Sequence, residues 1–464
     1  MKKILSFALA AAVIMTAAGC GGTKTAVQTD PSKTVITIAD WPSEENKNYE
    51  TMQQYKADFE AENPDISIET SPYVYATDTF LPKAMSGQLP TLYKTYYTEV
   101  EKIINSGYAA DITDMMKEMG MADALYDNIR DVVEKDGRIY GIPQQLYVQG
   151  LMCNIALFKE AGLENADGTI QFPTTYEELA NTAKIIKDKT GKAGFAIPTT
   201  TNQGGWHFMN IAWSFGVEFM KQEEGKWKAT FDTEECINAL QYVKDLKWKY
   251  DVLPSNAFLA MGDLETQFST DQLAMYFRPA DSTSSLISTY GISKDNIAYA
   301  RVPEGSAGRF AQMGGTVYMI SNSATPEQIS ACGKWLDFIG QTATVDADKE
   351  ERMESDCKKN SDNGYMVGIK SMPIWSTPER NATIERLSEK YCNIDRRFVE
   401  DYEKYETVTI TPEEPVKCQE LYSILDSCIQ SVLTNKDADV AQLVHQAAAD
   451  FQTNYLDKIR DDEM

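Results

Sequence analysis

The sequence predicts an α/β protein of two lobes, each a mostly parallel sheet flanked by helices. Two observations carry this. Segments of helical periodicity alternate with short apolar strands along most of the chain, the pattern of β-α-β units. The length, 464 residues, exceeds what one hydrophobic core usually organises. At 43% hydrophobic and 24% charged residues, the composition indicates neither disorder nor a collagen-like repeat.

Lys2 and Lys3 precede an apolar run from Ile4 to Ala18 that ends on small residues. Residues 1–19 therefore read as an export signal, whose apolar run is shorter than the roughly 18 residues of a spanning helix. Residues 20–33 begin at Cys20 and hold little to bury, so they read as a flexible tether. The fold starts at "TVITIAD", a strand. Met52, Tyr55 and Phe59 follow at helical spacing, and "DISIET" returns to a strand. Trp41 stands at the end of the first strand, where ligands of parallel sheets sit.

"FPTTYEELANTAKIIKDKTGKAGFAIP" opens on a capping box, Thr175 with Glu178, and stops at Gly191. Its Leu179, Ala183 and Ile186 share one face. "FDTEECINALQYVKDLKWKYDVLP" repeats the arrangement from Asp232 and Glu235. Residues 342–364 are polar and charge-rich, a solvated helix or loop. Leu421, Leu425, Cys428 and Val432, then Val444, Ala447, Phe451 and Tyr455, give two amphipathic helices joined near Asn435.

A formal net charge of −25 argues against a nucleic-acid partner and is compatible with a small neutral ligand. Seven cysteines beyond Cys20, irregularly spaced and without C-x-x-C, read as reduced structural thiols. His207 and His445 are the only histidines, and H-E-x-x-H is absent, so no metal is expected. "DADKE" begins like a calcium loop, but Glu351 stands where the turn needs glycine. G-x-S-x-G, Walker and G-x-G-x-x-G motifs are absent, and no cofactor is expected. The 69 acidic residues offer too many pairs to single out the two carboxylates of a glycoside hydrolase.

"DGRIYGIPQQLYVQGLMCNIALFKEAGL" and the following "FPTTYEEL" resemble the family 1 extracellular solute-binding proteins of ABC importers. "FLPKAMSGQLPTLY", "FSTDQLAMYFRPA" and "FAQMGGTVYMISNSATPEQISACGKWLDFI" match further motifs of that family in order. Thr91 and Asp271 depart from it, standing where aspartate and glycine are usual. The resemblance implies a periplasmic-binding-protein-like fold whose lobes close on a ligand held in the cleft between them. It places residues 34–147 with 314–341 in lobe 1 and 148–313 with 342–464 in lobe 2, with chain crossings near 145–151, 312–316 and 340. It implies a monomer that delivers a carbohydrate, most readily an oligosaccharide, to permease subunits.

The small residues before Cys20, with Gly21 and Gly22 after it, resemble a bacterial lipobox, although Ala17 stands where leucine is usual. That implies acylation of Cys20 and a lipid anchor on the outer face of the cytoplasmic membrane. Ordinary secretion with an unmodified thiol is the alternative.

Sugars present C–H patches to aromatic rings and hydroxyls to charged or amide groups. The candidate ligand contacts are Trp41, Tyr96, Tyr97, Tyr147, Trp206, Trp213, Arg278 and Gly315, with Tyr73, Tyr75, Phe277, Glu99, Asp281, Gly314 and Trp375 behind them. Many of these rings are equally suited to packing. Gly314 and Gly315 either admit a ligand to the backbone or permit the crossing. Arg278 could donate a bidentate pair to vicinal hydroxyls or to a carboxylate, and the alternative ligand is a non-sugar polar solute, anionic if Arg278 faces the cleft. A surface lipoprotein hydrolase is the reading from another class.

Overall fold

Two long strands tie the halves of the molecule together. The computed structural model describes residues 33–459 apart from 47 and 78; the export signal, Cys20 and the tether through residue 32 lie outside the described residues. Strands β1 (Thr34–Ile38), β2 (Ile66–Thr70) and β3 (Leu92–Tyr96) pair in parallel in the order β2-β1-β3. Helix α1 (Tyr49–Glu62) connects β1 to β2 and buries Phe59 against the sheet's core. The chain then enters β4 (Gly141–Asn154) and later β5 (Met275–Pro279), β6 (Ile297–Arg301), β7 (Phe310–Ile320) and β8 (Thr409–Thr411).

The first half of β4 pairs antiparallel with β7, which also pairs antiparallel with β3. The second half of β4 pairs antiparallel with β5 and β6 instead, and β8 pairs in parallel with the start of β7. Side chains follow the same division. Ile142 and Leu146 of β4, with Met313, Val317 and Met319 of β7, join the core of lobe 1. Val148, Leu151 and Cys153 of β4 and Ala311 of β7 join that of lobe 2. The changeover falls at Tyr147 and Gln312.

Lobe 2 carries α2 (Tyr176–Thr190), α3 (Gln203–Phe215) and α4 (Glu234–Trp248). Local chemistry explains their ends. Thr175 Oγ1 accepts from the Glu178 amide at 3.1 Å, and Gly191 closes α2 at φ 73°. The Glu178 carboxylate turns to Thr174 rather than completing the box with Thr175. Thr233, one residue after Asp232, caps α4. Asp271 takes the turn before β5 at φ 54°, where its carboxylate accepts from Asn154 at 2.7 Å.

Helices α5 (Pro326–Phe338), α6 (Ala347–Asp362) and α7 (Pro378–Lys390) follow, then α8 (Cys418–Thr434) and α9 (Val440–Asn454). The last two bury Leu421, Leu425, Cys428 and Val432, and Val444, Ala447 and Phe451, in the core of lobe 2. Each buried Leu, Val or Phe side chain among them contributes about 1.5–3 kcal/mol. The charge-rich run 342–364 forms α6, capped by Asp346. It packs on lobe 1: Tyr55 Oη donates to Asp356 at 2.7 Å, and Arg352 lies 4.5 Å over the Phe338 ring. Ala343 and Trp375 also join the core of lobe 1, whereas the sequence reading assigned 342–464 to lobe 2. Met372 packs against both cores.

Among the described residues the seven cysteines are free, and five are buried. No described helix is long and apolar enough to cross a membrane.

Candidate ligand-binding cleft

A cavity of about 340 Å³ opens between the lobes at the changeover. Lobe 1 lines it with Tyr75, Tyr96 and Thr98, the crossing strand with Tyr147, and lobe 2 with Asn202, Gln203, Trp206, Arg278, Glu413, Gln419 and Tyr422. The Tyr147 and Trp206 rings stand 6.4 Å apart and nearly perpendicular, and Tyr75 and Tyr96 meet edge-on at 5.6 Å. Rings from both lobes and from the strand between them thus border one space.

Each ring is held in place. A Cβ on Gly314 would lie 2.5 Å from the Tyr147 ring, so the absent side chain is what lets that ring lie across β7. A Cβ on Gly315 would meet the Gln145 carbonyl at 2.4 Å and the Tyr97 ring at 2.6 Å. Both glycines are covered by rings, which assigns them to the crossing itself. Trp206 sits in the first turn of α3. Thr201 and Asn202 enter that turn at φ 58° and 66°, and the Asp426 carboxylate of α8 accepts from the Asn202 and Gly205 amides at 2.8 Å each. A Cβ on Gly205 would meet the Tyr422 backbone at 2.4 Å, so the glycines of "NQGGW" press α3 against α8. Behind Trp206, the His207 ring lies 4.7 Å away, with Nδ1 2.7 Å from the Gln203 carbonyl and Nε2 3.1 Å from that of Phe277. Burial lowers its pKa to about 3, so the imidazole is neutral and donates to one of the two.

The polar groups are largely committed. Arg278 donates from Nη2 to the buried Glu265 carboxylate at 2.7 Å, while its Nε has no partner. Tyr75 Oη donates to Glu99 at 2.6 Å, and Lys102 pairs with the same carboxylate at 3.2 Å. Tyr422 donates to Glu413 at 3.0 Å. Burial raises the Glu413 pKa to about 7, against the opposing hydrogen bonds from Tyr422 and Trp206. Burial likewise raises Asp281, which accepts a hydrogen bond from Gln145.

The other candidates lie elsewhere. Trp41 is buried in lobe 1 with its ring 6.1 Å from Trp335. Tyr73 is buried under Lys83, and Tyr97 under Gly315. Trp213 is buried and donates to Glu414 at 3.3 Å; Phe277 packs on Phe195, and Trp375 is fully enclosed. Thr91 accepts from the Thr37 amide at 3.0 Å and so serves β1. Sequence reasoning did not single out Glu413, Gln419 or Tyr422. They come from "TPEEPVKCQELY", a stretch that reads as a loop and a helix start with no sugar-site signature. Among the described residues no group of three His, Cys, Asp or Glu side chains is placed to hold a metal ion.

Residues 42–344 match the family described as bacterial extracellular solute-binding protein. The chain belongs to this family. The solute-binding protein is 23% identical over 330 residues to the sn-glycerol-3-phosphate-binding periplasmic protein UgpB of Escherichia coli K12, covering 67% of this chain and 72% of that one. Among solved structures it resembles maltose-bound MalE3 of T. maritima, with a TM-score of 0.69 at 19% identity, covering 90% and 99% of the two chains. It also resembles UgpB of Mycobacterium tuberculosis in complex with glycerophosphocholine, with a TM-score of 0.69 at 15% identity, covering 90% and 98%. These likenesses establish the two-lobe fold. Solute-binding proteins of this family bind small molecules and deliver them to ABC permeases.

Proposed function

We propose that this solute-binding protein captures a neutral carbohydrate, an oligosaccharide, by closing its lobes on it and hands it to an ABC permease. The observation that carries the reading is the interlobe cavity bordered by Tyr75 and Tyr96, Tyr147 and Trp206. Rings contributed from both sides give a ligand differential affinity for the closed state, which is what drives closure. A sugar's C–H faces suit these rings, and the amides of Asn202, Gln203 and Gln419 suit its hydroxyls.

Relatives that bind glycerophosphate or glycerophosphocholine raise the anionic alternative. The charges at the cavity speak against it. Arg278, the one Lys or Arg among the described residues lining the cavity, is already paired through Nη2 with Glu265. An oligosaccharide is favoured by the number of rings at the cavity; Tyr147 also borders a neighbouring chamber of about 160 Å³.

The test is a calorimetric titration with neutral oligosaccharides and glycerol 3-phosphate, with chromatography of the sugar afterwards. Binding of an unchanged oligosaccharide supports the receptor; released product would make the protein a hydrolase. Cys20 lies outside the described residues, and the lipid anchor is part of the same proposal. Cys20→Ala is expected to leave affinity intact and move the protein from the membrane fraction to the medium, or leave it unprocessed.

A further inference from the structure

Among the described residues, Glu413 is the one carboxyl group that lines the interlobe cavity. It stands between β8 and α8, and lobe 2 fixes its position. Tyr422 Oη, one turn into α8, donates to Glu413 Oε1 at 3.0 Å and itself accepts from Gln312 Nε2 at 2.9 Å, at the point where β7 changes lobes. The Trp206 side chain donates to the same carboxyl. Both donors are neutral.

The charged groups around it are otherwise disposed. Arg278, on the same cavity, is held by Glu265 at 2.7 Å, and the adjacent Glu414 accepts from Trp213 at 3.3 Å. The charge that acts on Glu413 comes from the opposite lobe: Glu99, which accepts from Tyr75 at 2.6 Å and pairs with Lys102 at 3.2 Å. In return, the charge of Glu413 reaches the Tyr96 phenol of lobe 1, Tyr147 on the crossing strand, and Cys418 and Tyr422 of α8. Asp281 also acts on Tyr147, from the side where it accepts from Gln145.

Closing the lobes bears on this carboxyl in two ways. Glu99 of lobe 1 comes nearer to it, and a ligand between the rings replaces the water beside it with C–H surface. Each change disfavours the charged form. A neutral acid keeps acceptor positions for Tyr422 and Trp206 and gains an O–H donor toward the cavity.

We infer that Glu413 binds the ligand as a neutral acid, taking up a proton from solvent as the lobes close and donating a hydrogen bond through it to a ligand oxygen. This rests on the carbohydrate reading above and adds a positioning group and a pH dependence to it. The O–H bond forms on Glu413, water or buffer supplies the proton, and nothing else is consumed. In the surroundings described, burial already raises the Glu413 pKa to about 7, so a further rise on binding falls at neutral to alkaline pH. A group whose pKa is higher in the bound state adds affinity that is fully present below its free value and is lost as pH rises to its bound value.

The test is calorimetric titration of the full chain with maltotriose, xylotriose and cellotriose at about pH 6, 7.5 and 8.5, each in two buffers of different ionisation heat. Affinity is expected to fall at least about fivefold from the lowest to the highest pH, and the heats near the middle pH to differ between buffers as uptake of a proton requires. Glu413→Gln, neutral at every pH, is expected to bind with an affinity independent of pH and with equal heats in the two buffers. Glu414→Gln, outside the cavity, is expected to keep the wild-type fall. If Glu413→Gln does not fold, Tyr422→Phe takes its place: losing a donor that favours the charged form moves the fall to higher pH, and an unmoved fall overturns the inference. Trisaccharide binding with flat affinity and equal heats in the wild type overturns it too and leaves the carbohydrate reading standing. A fall that survives Glu413→Gln gives the proton to another group, such as Asp281, and overturns the assignment. Absence of binding by every trisaccharide at every pH overturns both readings.

Discussion

Trp41 and Trp206 separate two roles that look alike in the sequence. Both follow polar, strand-end or loop-like stretches. Trp41 turns inward because α5 brings Trp335 beneath the end of β1. Trp206 is held outward by the cap on α3 and the ring of His207. Trp206→Ala is expected to weaken sugar binding at least about tenfold, a loss of 1.4 kcal/mol, with a smaller loss of stability than Trp41→Ala. Trp41→Ala is expected to destabilise the fold by about 3–5 kcal/mol, read by denaturant unfolding. Glu413 and Glu414 each have pKa values raised by burial from the ordinary 4.5 to about 7. The native state therefore keeps protons that the unfolded chain releases, so stability falls as pH rises from about 4.5 to 7 and then levels off. Melting curves of Glu413→Gln with Glu414→Gln are expected to lose that slope and to exceed wild type at pH 8.

The elements show what periodicity conveys and what it leaves out. Thr175, Gly191 and the apolar face of α2 are local signals, legible because capping and 3.6-residue spacing need no distant partner. The cap of α4 falls one residue from its reading because Asp232 and Thr233 both suit the role. The charge-rich 342–364 hides its packing on lobe 1, since Arg352 and Asp356 meet Phe338 and Tyr55 through polar tips. The Gly-Gly pair of β7 is legible as a motif, but which ring lies on each glycine depends on β4 and β3. Gly314→Ala is expected to turn Tyr147 out of the cavity and reduce affinity as Tyr147→Ala does, at a stability cost of about 1–3 kcal/mol. Gly315→Ala, which meets the Gln145 backbone, is expected to cost more, since a carbonyl yields less than a ring.

At the scale of the molecule, motif order along the chain was enough to expect two lobes and a cleft. The composition of that cleft was only partly legible. Tyr96, Tyr147, Trp206 and Arg278 meet there, but Glu413, Gln419 and Tyr422 arrive from about 200 residues beyond Trp206, and a sequence records no such distance. Because β4 and β7 pass between the cores at single residues, relative motion of the lobes requires little of either core to repack. Small-angle X-ray scattering is expected to give a smaller radius of gyration with saturating oligosaccharide, and no change for Trp206→Ala at the same concentration. Calorimetric titration of the wild-type protein with neutral oligosaccharides beside glycerol 3-phosphate tests the central claim most directly. Saturable binding of an oligosaccharide, lost in Trp206→Ala, with no heat from glycerol 3-phosphate is the predicted result; tight binding of the phosphate and of no sugar would contradict it.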